Sequence, residues 1–292
     1  MKIVLFGKNG QVGWELQRIL PILGEVFSMG RDELDISDLD AVRNILNELK
    51  PKLIINASAY TQVDRAEKES DLAMKINALA PEVMAEAANK LGSVFIHYST
   101  DYVFDGKRDT PYTENDPVNP LNVYGESKLK GEENVQQAGG AYLILRTSWV
   151  YSLRGNGFVN KVLGWARKNE TLKIVSDQIS TPTWARMLAE ITNFVIVRNN
   201  ANLLEIIRER RGVYHASCHG YTSRYEWAKQ ILANDPARTE QIVRSIEPAL
   251  TGDFPTPAVR PLFSALDCTR FEKTFSLQLP DWSSILKLAM IR

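Results

Sequence analysis

Tyr124 and Lys128 stand four residues apart in Tyr124-Gly125-Glu126-Ser127-Lys128, and on a helix residues four apart share a face. A phenol and an ammonium pointing into one cleft form an acid–base pair, because a neighbouring cation favours phenolate and lowers the tyrosine pKa toward neutrality. Ahead of them, Ser99-Thr100-Asp101 closes the apolar run 94–98. The carboxyl ends of strands are where open α/β sheets gather ligands, so Thr100 and Asp101 are candidate site residues. A second Tyr-x-x-x-Lys, Tyr225 to Lys229, has no hydroxyl triplet on a strand before it and reads as an ordinary helix face.

The elements that position these residues begin at Lys2. A strand over residues 2–6 breaks into Gly7, Gly10 and Gly13, with Gln11 and Val12 between the last two, and a helix follows over 12–20. Glycines so placed allow the turn, the close approach of a phosphate and the packing of helix on strand, while the helix N-terminus favours negative charge. Strands are predicted over 26–29, 53–56, 94–98 and 142–146, and helices over 39–49, 72–91 and 123–137. This alternation predicts an α/β protein with a Rossmann-type doubly wound parallel sheet. Residues 1–147 are expected to form the NAD(P)-binding domain. Residues 148–292, broken by prolines 182, 248, 255, 257 and 261, are expected to be mainly a smaller substrate-binding lobe with some segments returning to the sheet. The turn-rich stretch 111–120 is expected at the mouth of a site.

Bulk properties exclude more than they assign. Lys+Arg and Asp+Glu both number 35, so the balanced charge gives no sign of a nucleic-acid partner. Cys218 and Cys268 do not make a disulfide scaffold, and no apolar stretch reaches membrane-spanning length, which points to a soluble cytoplasmic protein. His215, Cys218 and His219 are too crowded for ordinary zinc spacing, and no metal is expected. His97 reads as a hydrogen-bonded, partly buried histidine, because Tyr124 already supplies the proton. Trp165, Trp184, Trp227 and Trp282 are expected to pack in the second lobe.

In this order of glycine turn, strand-end threonine and tyrosine helix, the chain resembles the extended short-chain dehydrogenase/reductase family. The G-x-x-G-x-x-G spacing is that family's, and Thr100, Tyr124 and Lys128 match its Ser/Thr–Tyr–Lys triad. Further runs, among them Asn56-Ala57-Ser58-Ala59-Tyr60-Thr61, Ser99-Thr100-Asp101-Tyr102-Val103-Phe104 and Arg146-Thr147-Ser148-Trp149-Val150-Tyr151, are similar to its reductases of dTDP-linked 4-keto-6-deoxysugars. The resemblance covers nearly the whole chain. It implies reduction by NADPH or NADH of the C4 keto group of dTDP-4-dehydro-L-rhamnose, giving dTDP-L-rhamnose.

By the same resemblance Tyr124 would donate the proton, Thr100 would polarise the carbonyl, and Lys128 would hold the nicotinamide ribose. Gly7, Gly10, Gln11, Val12 and Gly13 would line the pyrophosphate, Asn56, Ala57 and Ala59 the adenosine side, and Asp35 and Ile36 the adenine. Asp101 and Trp149 would meet the deoxysugar and Arg260 the diphosphate, although Phe263 stands where the family usually has asparagine. Glu15 and Glu190 match two positions that bind magnesium at a dimer interface in some members. The end of the chain, 286–292, offers no third glutamate, so a metal-linked dimer is not expected, and the protein is read as monomer or homodimer. At the end of the second strand, Gly30 takes the place of an acidic residue and Arg31 follows, which predicts NADPH accepted at least as well as NADH. The alternatives are a reductase or epimerase of another nucleotide-linked keto-deoxysugar, or a non-catalytic regulatory subunit of the same fold.

Overall fold

Alternate residues of the first strand, β1 (Lys2–Phe6), serve two different cores. Ile3 and Leu5 join one, while Val4 and Phe6 join the other. The same division runs through β3 (Leu53–Asn56), where Ile55 and Ile54 face opposite ways. A strand apolar on both faces belongs in a parallel sheet covered by helices on each side, and this sheet is built so. In the computed structural model, which describes residues 1–291, β2 (Glu25–Met29), β4 (Val94–Thr100) and β5 (Ala141–Thr147) complete the set. The order is β2-β1-β3-β4-β5, followed by the strand Gly212–His215, and every pairing is parallel. The strand Gly212–His215 lies beside β5, with His215 opposite Arg146.

The chain leaves β1 for β2 on one side and comes back across it to β3 on the other. The connections diverge there and open a crevice above the carboxyl ends of both strands. Into it points the N-terminus of α1 (Gln11–Ile19). On the second core lie α2 (Leu39–Leu49), whose N-cap Asp38 accepts from the Ala41 N–H at 3.0 Å, and α5 (Ala80–Leu91), which follows the short α3 (Val63–Ala66) and α4 (Ser70–Met74).

Two expectations about this half change. The single helix over 72–91 is interrupted by a π-helical turn at Lys75–Leu79. Asn77 within it is buried, accepts from the Tyr60 N–H at 2.8 Å, and donates to the Tyr60 carbonyl and the Ser127 hydroxyl. Tertiary bonds to Asn77 thus accompany the bulge, and helical periodicity carries no sign of them. The stretch 111–120 is not at the cleft. Tyr112 stacks on Phe104 with ring centroids 4.2 Å apart, and its backbone exchanges hydrogen bonds with Ala265 and Asp267.

The core that includes Ile3 and Leu5 runs on without a break into the second half, through Trp227, Phe271 and Leu286. Trp227 and Trp282 are buried there, but Trp165 is 40% exposed at the end of the helix Phe158–Ala166, edge-on to Phe158. No helix among the described residues is long and apolar enough to cross a membrane.

Candidate active site

The helix that carries the tyrosine and lysine, α6 (Val123–Ala138), starts at Asn122, whose side chain accepts from the Gly125 N–H at 2.8 Å and donates to the Val259 carbonyl at 2.7 Å. Its first turn lies so close to the loop after β4 that a Cβ on Gly125 would come within 2.3 Å of the Tyr102 carbonyl oxygen, so only glycine fits between Tyr124 and the rest of the motif. The inner face of α6 is polar and buried, and each group on it has a partner. Ser127 meets Asn77; Lys128 Nζ donates to the Tyr98 carbonyl at 2.6 Å and lies 3.2 Å from His97 Nε2; Glu132 holds Ser99 and Arg146. A buried polar face of this kind is tolerated because its hydrogen bonds are made.

One cleft of about 720 Å³ brings together Gly7, Gly10, Gln11, Val12, Arg31, Asp35, Ile36, Ala57, Ala59, Thr100, Asp101, Tyr124, Lys128 and Trp149. Asn56 is fully buried beneath its floor, and Gly13 packs under the turn. Residues 7–13 make a cradle that a dinucleotide fits. A Cβ at Gly7, whose φ is +88°, would sit 2.6 Å from the Ala57 backbone, and one at Gly13 would sit 2.1 Å from the Gly7 carbonyl oxygen. The N-cap of α1 is Gly10, with no capping side chain and no acidic residue in the first turn, so the first N–H groups are free to meet a phosphate.

Beyond the cradle, Arg31 is 79% exposed and 3.4 Å from Asp35, whose carboxyl is held below its usual range chiefly by the Ser37 N–H. Among the acids that follow β2, Glu33 accepts from the Gly30 N–H and is paired with Lys8 at 2.6 Å.

At the other end of the cleft the Thr100 hydroxyl faces the Tyr124 phenol and tends to lower its pKa, but burial outweighs this and pushes the pKa up. The expected lowering of that pKa by Lys128 is not seen. The lysine is turned to Tyr98 and His97, and its own pKa is lowered by burial to about 8, against a smaller opposing pull from Glu132. Tyr124 therefore holds its proton across the neutral range and stands as an acid.

Asp101 lines the cleft, yet its carboxylate is occupied by protein hydroxyls. Ser180 and Ser264 donate to Oδ2, and Thr100 donates to Oδ1 at 3.1 Å; burial raises its pKa to about 6. Trp149 has φ +37°, a region that bulky side chains rarely adopt, and its ring lies between Trp227, stacked at 5.4 Å, and the Arg224 guanidinium at 4.2 Å. Arg260 does not line the cleft. It is tied to Asp64 at 2.7 Å and to Thr256, and both it and Arg224 face Tyr102.

Arg224, half-buried at the start of the helix Arg224–Ala233, was not singled out by sequence reading. Ser223 caps that helix, accepting from the Glu226 N–H, and marks its start, but no local pattern shows that the arginine turns inward.

The remaining signals go separate ways. His215 is buried with its pKa lowered to about 3, His219 bonds Glu272 at 2.7 Å, and burial raises the thiols of Cys218 and Cys268 to about 12. Among the described residues no three His, Cys, Asp or Glu side chains converge on a metal site; Arg292, the last residue of the tail, lies outside them.

A cradle for a dinucleotide and a proton-bearing tyrosine in one cleft are what an NAD(P)-dependent oxidoreductase of the extended short-chain type requires. More narrowly, the chain belongs to the RmlD substrate binding domain family, whose family model matches residues 1–292. It is 42% identical over 291 residues to the dTDP-4-dehydrorhamnose reductase of Burkholderia thailandensis, covering 97% of this chain and 95% of that one. A crystal structure of a dTDP-4-dehydrorhamnose reductase from Clostridium acetobutylicum superposes with a TM-score of 0.90 at 38% identity, over 99% of this chain and 98% of that one. The dTDP-4-dehydrorhamnose reductase of Bacillus anthracis, solved in complex with NADP, gives 0.88 at 34% identity, over 98% and 97%.

Proposed function

We propose that this protein reduces the C4 keto group of dTDP-4-dehydro-L-rhamnose to give dTDP-L-rhamnose, with NADPH or NADH as reductant. The observation that carries the reading is the meeting of Thr100, Tyr124 and Lys128 with the glycine cradle in one cleft, in a chain whose relatives are named for this reaction over nearly their full length. When bound, the dihydronicotinamide supplies a hydride to C4. Charge then builds on a single oxygen, and the protein meets it with two hydroxyls. Tyr124 transfers its proton to that oxygen, and Thr100 donates a hydrogen bond to it. Lys128 holds the ribose hydroxyls and, charged, steadies the phenolate left on Tyr124. Gly7, Gly10, Gln11 and Val12 bind the pyrophosphate; Asn56, Ala57 and Ala59 flank the adenosine; Asp35 and Ile36 hold the adenine. Trp149, at the cleft wall, meets the deoxysugar with its ring edge, and Arg260, once released from Asp64, meets the diphosphate beside Arg224. Residues 1–147 carry the cofactor and 148–292 mainly the sugar nucleotide.

Arg31 lines the cleft and is read as the partner of a 2′-phosphate in place of Asp35, while Glu33, one of the acids that follow β2, is held by Lys8. NADPH is therefore expected to match or exceed NADH in kcat/KM, measured at 340 nm with dTDP-4-dehydro-L-rhamnose. Arg31→Ala is expected to cut the NADPH-to-NADH ratio roughly tenfold, about 1.4 kcal/mol for an exposed guanidinium–phosphate contact. An unchanged ratio removes Arg31 from cofactor choice, and no oxidation of either cofactor overturns the assignment.

A further inference from the structure

His97 has no part in the chemistry just described, yet it is fully buried directly behind Lys128. Its two ring nitrogens face defined partners. Asn56, opposite it in the β3–β4 register, approaches Nδ1 with Nδ2 at 3.1 Å, and Lys128 Nζ lies 3.2 Å from Nε2. The orientation of the Asn56 amide is fixed from its other end, where Oδ1 accepts from the backbone N–H of Ser58 at 3.0 Å and from its hydroxyl at 2.5 Å. A backbone N–H only donates, so the amide oxygen must face Ser58 and the amide NH₂ must face His97. Nδ1 is then an acceptor, and a neutral imidazole with Nδ1 unprotonated carries its proton on Nε2. Burial keeps the ring neutral, and the lysine charge opposes its protonation further.

Nε2–H thus points a donor at Lys128. A neutral amine accepts it with its lone pair while giving one of its own protons to the Tyr98 carbonyl. An ammonium has no lone pair and is repelled. We infer that His97 is a positioning residue that couples the charge of Lys128 to its direction: the neutral amine is held back against His97, and the ammonium is released toward the ribose end of the cleft. The other ionisable groups about the lysine are Tyr124 one turn earlier on α6, Glu132 one turn later, Arg146 of β5 paired to Glu132, and Asp101 beyond Tyr124. Glu132 alone favours the charged lysine, and its carboxylate is already shared with Arg146 and Ser99.

The link to cofactor binding rests on the reading of Lys128 as the ribose-holding residue; the proton on Nε2 does not, and the two are tested apart. The chain has three histidines, so ¹⁵N spectra of the cofactor-free protein, assigned with His97→Gln, read the tautomer of His97 directly. A neutral Nε2–H ring that does not titrate between pH 6 and 9 is expected; an Nδ1–H tautomer or an imidazolium overturns the inference whatever the enzyme's substrate.

NADPH affinity, followed by fluorescence, is expected to hold below about pH 8 and to fall above it as Lys128 loses its proton. His97→Leu removes the donor that favours the amine and is expected to move this fall upward by about one pH unit, the worth of one hydrogen bond. His97→Gln, whose amide can accept from Asn56 and donate to Lys128, is expected to restore the original profile. The same profile in wild type and His97→Leu overturns the inference. Where His97→Leu does not fold, a His97→Gln profile shifted from the wild type does so instead.

Discussion

Tyr124→Phe is expected to lower kcat by 10²- to 10⁴-fold while NADPH affinity changes little, the usual range for loss of a positioned general acid. The phenol sits half-buried in the cleft wall, desolvation there raises its pKa, and the hydroxyl that faces it is that of Thr100. Thr100 is a weak acid with a single hydroxyl proton, which is given to Asp101 here and has to turn to the C4 oxygen to stabilise the forming alkoxide, so it is a poor substitute as proton source. The loss belongs in kcat because the proton moves only as charge develops on the C4 oxygen. Stopped-flow absorbance at 340 nm with saturating NADPH separates the two quantities. A loss of less than threefold would remove Tyr124 from proton transfer.

Glu132→Ala is expected to destabilise the fold by about 3–5 kcal/mol, the cost of breaking a buried ion pair from one side. Both carboxylate oxygens of Glu132 accept from Arg146, at 2.9 Å and 2.7 Å, and Oε1 also accepts from Ser99 at 2.5 Å. Neither charged side chain has appreciable exposure, at 6% for Arg146 and 0% for Glu132. Without the carboxylate, Arg146 keeps a buried charge beside the neutral His215 and the Phe104 ring, 5.2 Å away, neither of which replaces it. The pair also joins β4, β5 and α6 at the level of Thr100, so the catalytic strand end loses its brace. Chemical denaturation monitored by tryptophan fluorescence measures the change, and a loss under 1 kcal/mol would show that the pair is dispensable.

How much of this was legible in the sequence follows from which interactions are local. The five strands β1 to β5 lie within two residues of where apolar runs and glycine turns place them, because a strand buried on both faces must be apolar throughout. The helix expected over 123–137 matches α6 to within a residue. What was hidden depends on partners distant in the chain. The π turn at Asn77 involves Tyr60 and Ser127; the stretch 111–120 is held away from the cleft by Phe104 and by residues 265–267; Arg260 is captured by Asp64. His97 reads from the sequence as a hydrogen-bonded, partly buried histidine and no more, because cross-strand register, which sets Asn56 beside it, leaves no trace in a single strand. The lysine–tyrosine pairing illustrates the same limit. Helical spacing places both side chains on one face, but the acceptors on β4 decide which way the ammonium turns.

The most direct measurement is the fate of hydride. With NADPH carrying deuterium at the transferring position of C4, the enzyme is expected to convert dTDP-4-dehydro-L-rhamnose to dTDP-L-rhamnose bearing one deuteron at C4 of the sugar, seen by NMR and mass spectrometry. A product without the label, or with the label at another carbon, would contradict the assignment.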